Sequence, residues 1–276
     1  MPTPGLAAIA ADAAARSNPA RSHVSVPNFI FELKDIPQLI YKGGKGILGG
    51  IASANLSWQF AIKPFISDIN KLLDFSSAYE KRVKEIEDLE SGRLKRRVAI
   101  SIDEETEVGS PFVMESYLFF ATSSPKTVTK RTIWAHTYWA PNMSLSSNLG
   151  SSGDSRRDYI RKLLLGLHWH QFPINAWNAI PWSWLIDWCS SAGDFIASTN
   201  NSVGYLCEPV VICIHTQSER TDKFSGVPDW CGGNSSWSST RDTKERYTMP
   251  PGLSASVPLF TKRQLSILGS LYVLKR

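Results

Sequence analysis

The side chains with chemical capacity at recognisable spacing are His168 and His170, Asp187 and Asp194, and two runs of cations. An H-x-H pair on a strand can hold a metal. A site also needs a third ligand at a recognisable distance, and His23, His136 and His215 stand apart in the sequence. Asp187 and Asp194 are seven residues apart, which on a helix puts them on one face, about 10 Å apart along the axis. That is too far for a retaining carboxylate pair and marginal for an inverting one, so helix capping or buried hydrogen bonding suits them better. No G-x-S-x-G occurs, and no Cys–His pairing stands out. We therefore expect no enzyme: no catalytic residue, no metal and no cofactor, with a metal-dependent hydrolase using His168 and His170 as the last alternative.

The cations point elsewhere. Arg156, Arg157, Arg161 and Lys162 crowd one helix against the single Asp158, and Lys262, Arg263, Lys275 and Arg276 give the last helix four positive charges and no acid. Clustered, fixed cations are what the phosphates of a nucleic acid require, because counterion release drives that binding. A solvated helix face is the plainer use of the same residues. Tyr159, Trp169 and Tyr272 lie beside them in sequence and could stack on unpaired bases or belong to the core. Residues 175–194 hold four of the ten tryptophans, and Trp177, Trp184 and Trp188 share one helical face. Such a stripe reads as core, so Trp184 and Trp188 should be largely buried and the segment should be a central structural helix.

Behind these residues stands a chain of 276 residues, 42% hydrophobic and 20% charged, with a net charge of +5. That composition is globular. No apolar run approaches the ~18–20 residues that span a bilayer, and the Ala-rich start, interrupted by Asp12, lacks the form of a signal peptide. Cys189, Cys207, Cys213 and Cys231 form no C-x-x-C pair and read as reduced thiols of a protein made in a reducing cytoplasm.

Residues 1–27, punctuated by Pro2, Pro4, Pro19 and Pro27, read as a loosely ordered lead-in. A helical pattern starts at Asn28, and the glycines from Gly43 to Gly50 read as a hinge. Ile62, Phe65, Ile69, Leu72, Ser76, Tyr79, Val83, Ile86 and Glu90 form a seam of alternating three- and four-residue steps, predicting one long helix from about Ala54 to Glu90, bent near Pro64. Alternating residues then predict strands around Val98–Ile102, Phe112–Ala121 and Val128–Trp139, with a turn at Ser123–Lys126. Helices follow at Arg156–Leu167 and Phe172–Ser198, strands at Leu206–Gln217 and Ser235–Thr248, and a last helix at Leu259–Leu274. Strands and helices come in blocks, which predicts an α+β fold: a helical bundle segregated from an elongated antiparallel sheet, the chain passing between them twice. The expected division is residues 1–27, then one domain over 28–276. Its helical part covers about 28–92, 156–200 and 258–276, and its sheet part about 93–141 and 203–250.

Four stretches carry a family resemblance. Trp177, Ile180, Pro181, Ser183, Trp184, Leu185, Asp187, Trp188, Gly193 and Asp194 resemble the signature helix of the maturation proteins of single-stranded RNA bacteriophages, W-E-L-I-P-[YF]-S-[WF]-L-V-D-W-[FW]-x-N-[VA]-G-D. Asn178, Ala179 and Ser191 depart from it. Ala15–Arg21 (ARSNPAR), with Val26-Pro27 and Glu32–Pro37, is similar to the family's A-R-T-N-P-S-R…L-P…E-L-R-D-L-P. Trp58–Ile69 is similar to W-x-F-G-W-K-P-L-x-x-D-L, and Leu265–Leu271 to the closing helix. Family members usually carry a strand-rich portion before the A-R-x-N-P motif, and the resemblance implies a chain that lacks it. It also implies a virion protein, made in the host bacterial cytoplasm, that binds genomic single-stranded RNA and takes a coat-protein position. Attachment to a bacterial pilus and entry with the RNA are implied too, with the helical part on the RNA and the sheet toward the receptor. A cellular nucleic-acid-binding protein without an attachment role is the alternative.

Overall fold

The computed structural model describes residues 5–30, 46–92, 94–115, 120–143, 145, 149, 153–180, 183–255 and 261–275. The chain is α+β and divides into two compact units. The helical unit comprises Met1–Arg96, Thr137–Val210 and Pro250–Arg276, and the sheet unit Arg97–His136 and Val211–Met249. The chain therefore leaves the helical unit twice and returns twice, as its block order predicts.

The helical unit begins with α1 (Leu6–Ser17), where the sequence reading expects loose structure. Its alanines explain the difference. Ala10, Ala11, Ala13 and Ala14 are fully buried, and side chains this small let α1 pack closely on α8 (Ala192–Ser198). Asn18, before Pro19, turns extended at ψ 122° and ends α1, as a residue preceding proline is driven to do. Next among the described elements is α2 (Gly46–Ser57), which runs through Gly46, Gly49 and Gly50 where a hinge is expected. Each glycine weakens a helix interior by about 1 kcal/mol relative to alanine. Contact with α9 (Lys262–Lys275) offsets this: Ala52, Leu56 and Ile267 are buried, and the Asn55 amide donates to the Ser266 and Ser270 hydroxyls at 3.0 and 2.8 Å. Most of the helix expected from Asn28, and the glycines before Gly46, lie outside the described residues.

The single long helix expected from Ala54 to Glu90 is interrupted twice. A π-helical turn spans Trp58–Ile62, with the Lys63 N–H bonded to the Trp58 carbonyl, ahead of α3 (Lys63–Leu73). Pro64 has no N–H for the carbonyl four residues back and its ring crowds that carbonyl, so the wider turn absorbs the conflict. A second break at Asp74 separates α3 from α4 (Phe75–Glu90). Of the seam, Ile86 is buried and Phe65 stacks on Phe29, whereas Ile62, Ile69 and Leu72 are exposed.

Among the described residues the strands are β1 (Leu94–Val108), β2 (Phe112–Glu115), β3 (Phe120–Pro141), β4 (Gly204–Leu206), β5 (Val210–Ser225) and β6 (Ser235–Met249). They form one sheet in the order β1-β3-β5-β6, with β2 and β4 also paired to β3. The two strand blocks thus share a sheet, as neither could bury a face alone. β3 pairs antiparallel with β5 from Thr122↔Ser225 to His136↔Val211. The turn expected at Ser123–Lys126 is instead strand: Ser123 pairs with Phe112 on one side and Phe224 on the other. In the sheet unit Ile133, Ala135, Ile212 and Ile214 are buried. On the opposite face of β3, Arg97 covers the Trp134 ring at 5.0 Å. The outer strand β6 is charged over Arg241–Arg246, which discourages further strand pairing.

Candidate nucleic-acid interface

The helix α5 (Gly153–Leu164) presents the first cation run. Its apolar stripe of Tyr159, Ile160, Leu163 and Leu164 is buried, so Arg157, Arg161 and Lys162 fall on the exposed side. Two of them meet acids of their own helix, Arg157 with Asp154 at 3.7 Å and Lys162 with Asp158 at 2.7 Å. Surface pairs of this kind are worth about 0–1 kcal/mol and open readily to a phosphate. Arg161 lies 6.0 Å from the Tyr79 ring. Arg156 differs: it is half-buried and bonded to Glu90 at 2.8 Å, bracing α5 against α4.

The second run opens α9. Lys262 and Arg263 are exposed in its first turn, and Arg263 Nε donates to Gln59 Oε1 at 2.8 Å. Cations at a helix N-terminus work against the helix dipole, so these two add to an already positive end. Lys275 closes α9, and Arg276 lies outside the described residues. The two runs sit on different supports, α5 against α4 and α9 against α2.

The tryptophan-rich segment is three short helices, α6 (Phe172–Ala179), α7 (Ser183–Cys189) and α8, where one helix is expected. Ile180, extended at ψ 124°, ends α6 ahead of Pro181, and Pro181 itself lies outside the described residues. Trp177, Trp184 and Trp188 are half-buried, so the expectation of largely buried Trp184 and Trp188 is corrected. A broken helix cannot line them up as one core stripe. Trp184 instead packs edge-on to Trp188 at 4.8 Å and against Phe60 at 5.0 Å. The motif's polar residues fasten the break. One Asp187 oxygen accepts the Trp177 indole N–H at 3.1 Å, and the other accepts the Gly193 N–H at 2.9 Å. A Cβ on Gly193 would lie 2.9 Å from Asp187 Oδ2, so glycine keeps that clasp closed. Burial, reinforced by Asp12 and Asp187, raises the Asp194 pKa above the ordinary carboxylate value against the pull of Arg16 and Arg21.

The ARSNPAR stretch joins five separate parts of the helical unit. Ser17 Oγ donates to the Ala13 carbonyl at 2.7 Å and accepts from Thr137 Oγ1 at 2.9 Å and Trp139 Nε1 at 3.2 Å. The Asn18 amide donates to the Ala197 and Asn200 carbonyls at 3.1 and 2.9 Å. Arg82 donates to the Pro19 and Arg21 carbonyls, Arg96 to that of Ser17, and Gln171 Nε2 to that of Ala20. Burial lowers the Arg82 pKa to about 10, which leaves it charged at neutral pH. The proline turn at Asn18-Pro19 is legible in the sequence, whereas the bonds that this stretch makes to the rest of the helical unit are not.

His168 caps a 3₁₀ turn at Trp169–Gln171 and His170 lies within it, so neither is on a strand. Their rings stack at 5.1 Å, and burial lowers both pKa values, with the neighbouring His170 and Lys162 adding to the effect at His168. Among the described residues no group of three His, Cys, Asp or Glu side chains could hold a metal ion. No helix among them is long and apolar enough to cross a membrane.

Charge divides unevenly between the units. Of the chain's 30 Lys+Arg and 25 Asp+Glu, the sheet unit has nine and ten, which leaves 21 and 15 in the helical unit. The molecule is thus an α+β protein of a cationic helical unit and a nearly neutral, long-stranded sheet unit. The sequence profile of the phage maturation protein family matches residues 41–227, and the chain belongs to that family of structural phage proteins. The match takes in Trp58–Ile69 and the Trp177–Asp194 segment, while ARSNPAR and the last helix lie outside it. None of the curated proteins compared with the chain matches it.

Proposed function

We propose that this maturation protein grips the phage's single-stranded genomic RNA through its helical unit and travels in the virion at a coat-protein position. The observation that carries the reading is the charge partition: the whole positive surplus lies in the helical unit, with Arg157, Arg161, Lys162, Lys262 and Arg263 exposed there. Such a surface attracts a polyanion and holds it by phosphate contacts that carry no sequence information. Attachment to a bacterial pilus, and entry with the RNA, fall to the sheet unit in this reading. That unit exposes Val108, Val113 and Phe120 around β2, the kind of apolar patch that marks a protein contact.

The test is RNA binding across a salt series. Arg157→Gln with Lys162→Gln should weaken binding to every RNA tried and reduce the salt slope by at most about one unit per lost phosphate contact. Any preference for a particular stem-loop should survive. Unchanged affinity and slope would mean that these cations only solvate the helix. For attachment, particles carrying Val113→Asp with Phe120→Asp should package RNA normally yet adsorb poorly to piliated cells.

A further inference from the structure

Of the three aromatics that neighbour the cation runs in sequence, the structure separates one from the others. Tyr159 is core, 8% exposed, and its ring meets His168 edge-on at 5.0 Å. Tyr272 is exposed near the end of α9. Trp169 is 73% exposed and lies on the rim of a cleft of about 520 Å³. Phe172, itself 72% exposed, lines the same cleft with Ile196, and Thr199, Asn200 and Asn201 are its polar lining. The exposed Asn201 carboxamide has no hydrogen-bond partner among the described residues.

A rigid turn ties the cleft to the cations of α5. Past the helix end, Gly166 takes a left-handed φ of 73°, its N–H bonds the Leu163 carbonyl and the Leu167 N–H bonds the Lys162 carbonyl. This is a glycine-terminated helix cap, and through Leu163–Leu167 it leads the chain from the exposed Arg161 and Lys162 to His168, Trp169 and His170. A Cβ on Gly166 would lie 3.1 Å from Ser25 Cα, so the turn is also closely packed. Lys162 is near enough to His168 to oppose its protonation. Trp169 and His170 lie with ring centroids 3.4 Å apart and planes tilted by 32°.

We propose that this cleft receives an unpaired RNA base, stacked on Trp169 or Phe172, while Arg161 and Lys162 hold the adjoining phosphates. The proposal rests on the RNA-binding reading above and sharpens it from a charged surface to a site that distinguishes single-stranded from paired RNA. A flat ring with one polar edge matches the cleft's aromatic walls and its free carboxamide, and adjacent exposed cations match a phosphodiester. An apolar peptide would leave those cations unused. Stacking tolerates any base, because every base presents a π-face.

The test compares the whole protein with Trp169→Ala and Trp169→Phe, using a short single-stranded oligoadenylate and a blunt RNA duplex of equal length. Because Trp169 is so exposed, Trp169→Ala should melt like the parent. It should bind the single strand about tenfold or more weakly, bind the duplex as before and keep the salt slope, since no phosphate contact is lost. Trp169→Phe should recover most of the affinity. A 2-aminopurine placed in the oligonucleotide should lose fluorescence on binding to the parent and not to Trp169→Ala. If Trp169→Ala binds both RNAs normally while Arg161→Gln with Lys162→Gln flattens the slope, the base cleft is overturned and the RNA surface stands. If neither change alters binding, the α5 cations and the cleft take no part in holding RNA, and the proposal is overturned. If Trp169→Ala keeps RNA affinity but no longer enters particles, the cleft contacts coat protein, and the proposal is wrong.

Discussion

Ser17 carries a load out of proportion to its size, because one buried hydroxyl satisfies the Trp139 indole, the Thr137 hydroxyl and the Ala13 carbonyl together. Trp139 is fully buried, so its N–H has no water to fall back on. Ser17→Ala strands two buried donors and should cost about 1–3 kcal/mol in chemical denaturation. Trp139→Phe removes one of those donors, so the double variant should lose less than the two single losses combined; simple additivity would mean that the contact is not formed. Asp194 has an effect of opposite sign. Its raised pKa means that the native state holds the proton more tightly than the unfolded chain does. Stability must then fall as pH rises from the usual carboxylate value through the raised one, and remain reduced above it. Asp12, also raised by burial, acts in the same direction. Asp194→Asn should therefore raise the melting temperature at neutral pH and flatten its dependence between mild acid and neutrality. A lower melting temperature in the variant at neutral pH would show that the carboxylate stabilises the fold through Arg16 and Arg21.

At the scale of elements, the α6–α7–α8 breaks are held by a clasp rather than by a hydrophobic stripe. Gly193→Ala pushes a methyl group into Asp187 and the Trp177 indole, and should cost about 1–3 kcal/mol with a loss of near-ultraviolet tryptophan dichroism. A neutral outcome would mean that the clasp yields freely. The same elements explain what sequence could and could not convey. Strand blocks were legible because β3 alternates buried and open residues over Ile133–Trp139, a period visible locally. The α3–α4 region was legible as helix with a bend near Pro64, yet the break at Asp74 was not, since the seam of apolar steps persists through it. The lead-in hides its helix for a related reason. An alanine helix packed closely on a neighbour has no polar stripe to set its period, and the bonds that fix Ser17 and Asn18 come from residues more than a hundred positions away. The exposed cations were legible from charge alone. That Arg156 is a brace was not, because Glu90 lies on another helix.

At the scale of the molecule, the partition of charge turns composition into a statement about mechanism. A net charge of +5 spread evenly would make every exposed lysine an equal contributor to polyanion binding. A helical unit with 21 cations against 15 acids, beside a sheet unit with nine against ten, makes them unequal. Screening sharpens the difference, because at physiological salt an exposed charge acts over only about 8 Å. A cation in the sheet unit is therefore judged by its immediate neighbours, which are as often acids as bases. Lys126, Lys130 and Lys223 are exposed there and provide the matched control for Arg157, Arg161 and Lys162. Both triple glutamine variants remove the same charge from the whole chain. If net charge alone attracted RNA, the two would weaken binding equally. If the helical unit holds the RNA, only the α5 variant should flatten the salt slope, and the sheet variant should keep the slope and nearly all of the affinity. The reverse ranking would move the RNA interface to the sheet and leave α5 with a purely solvating role.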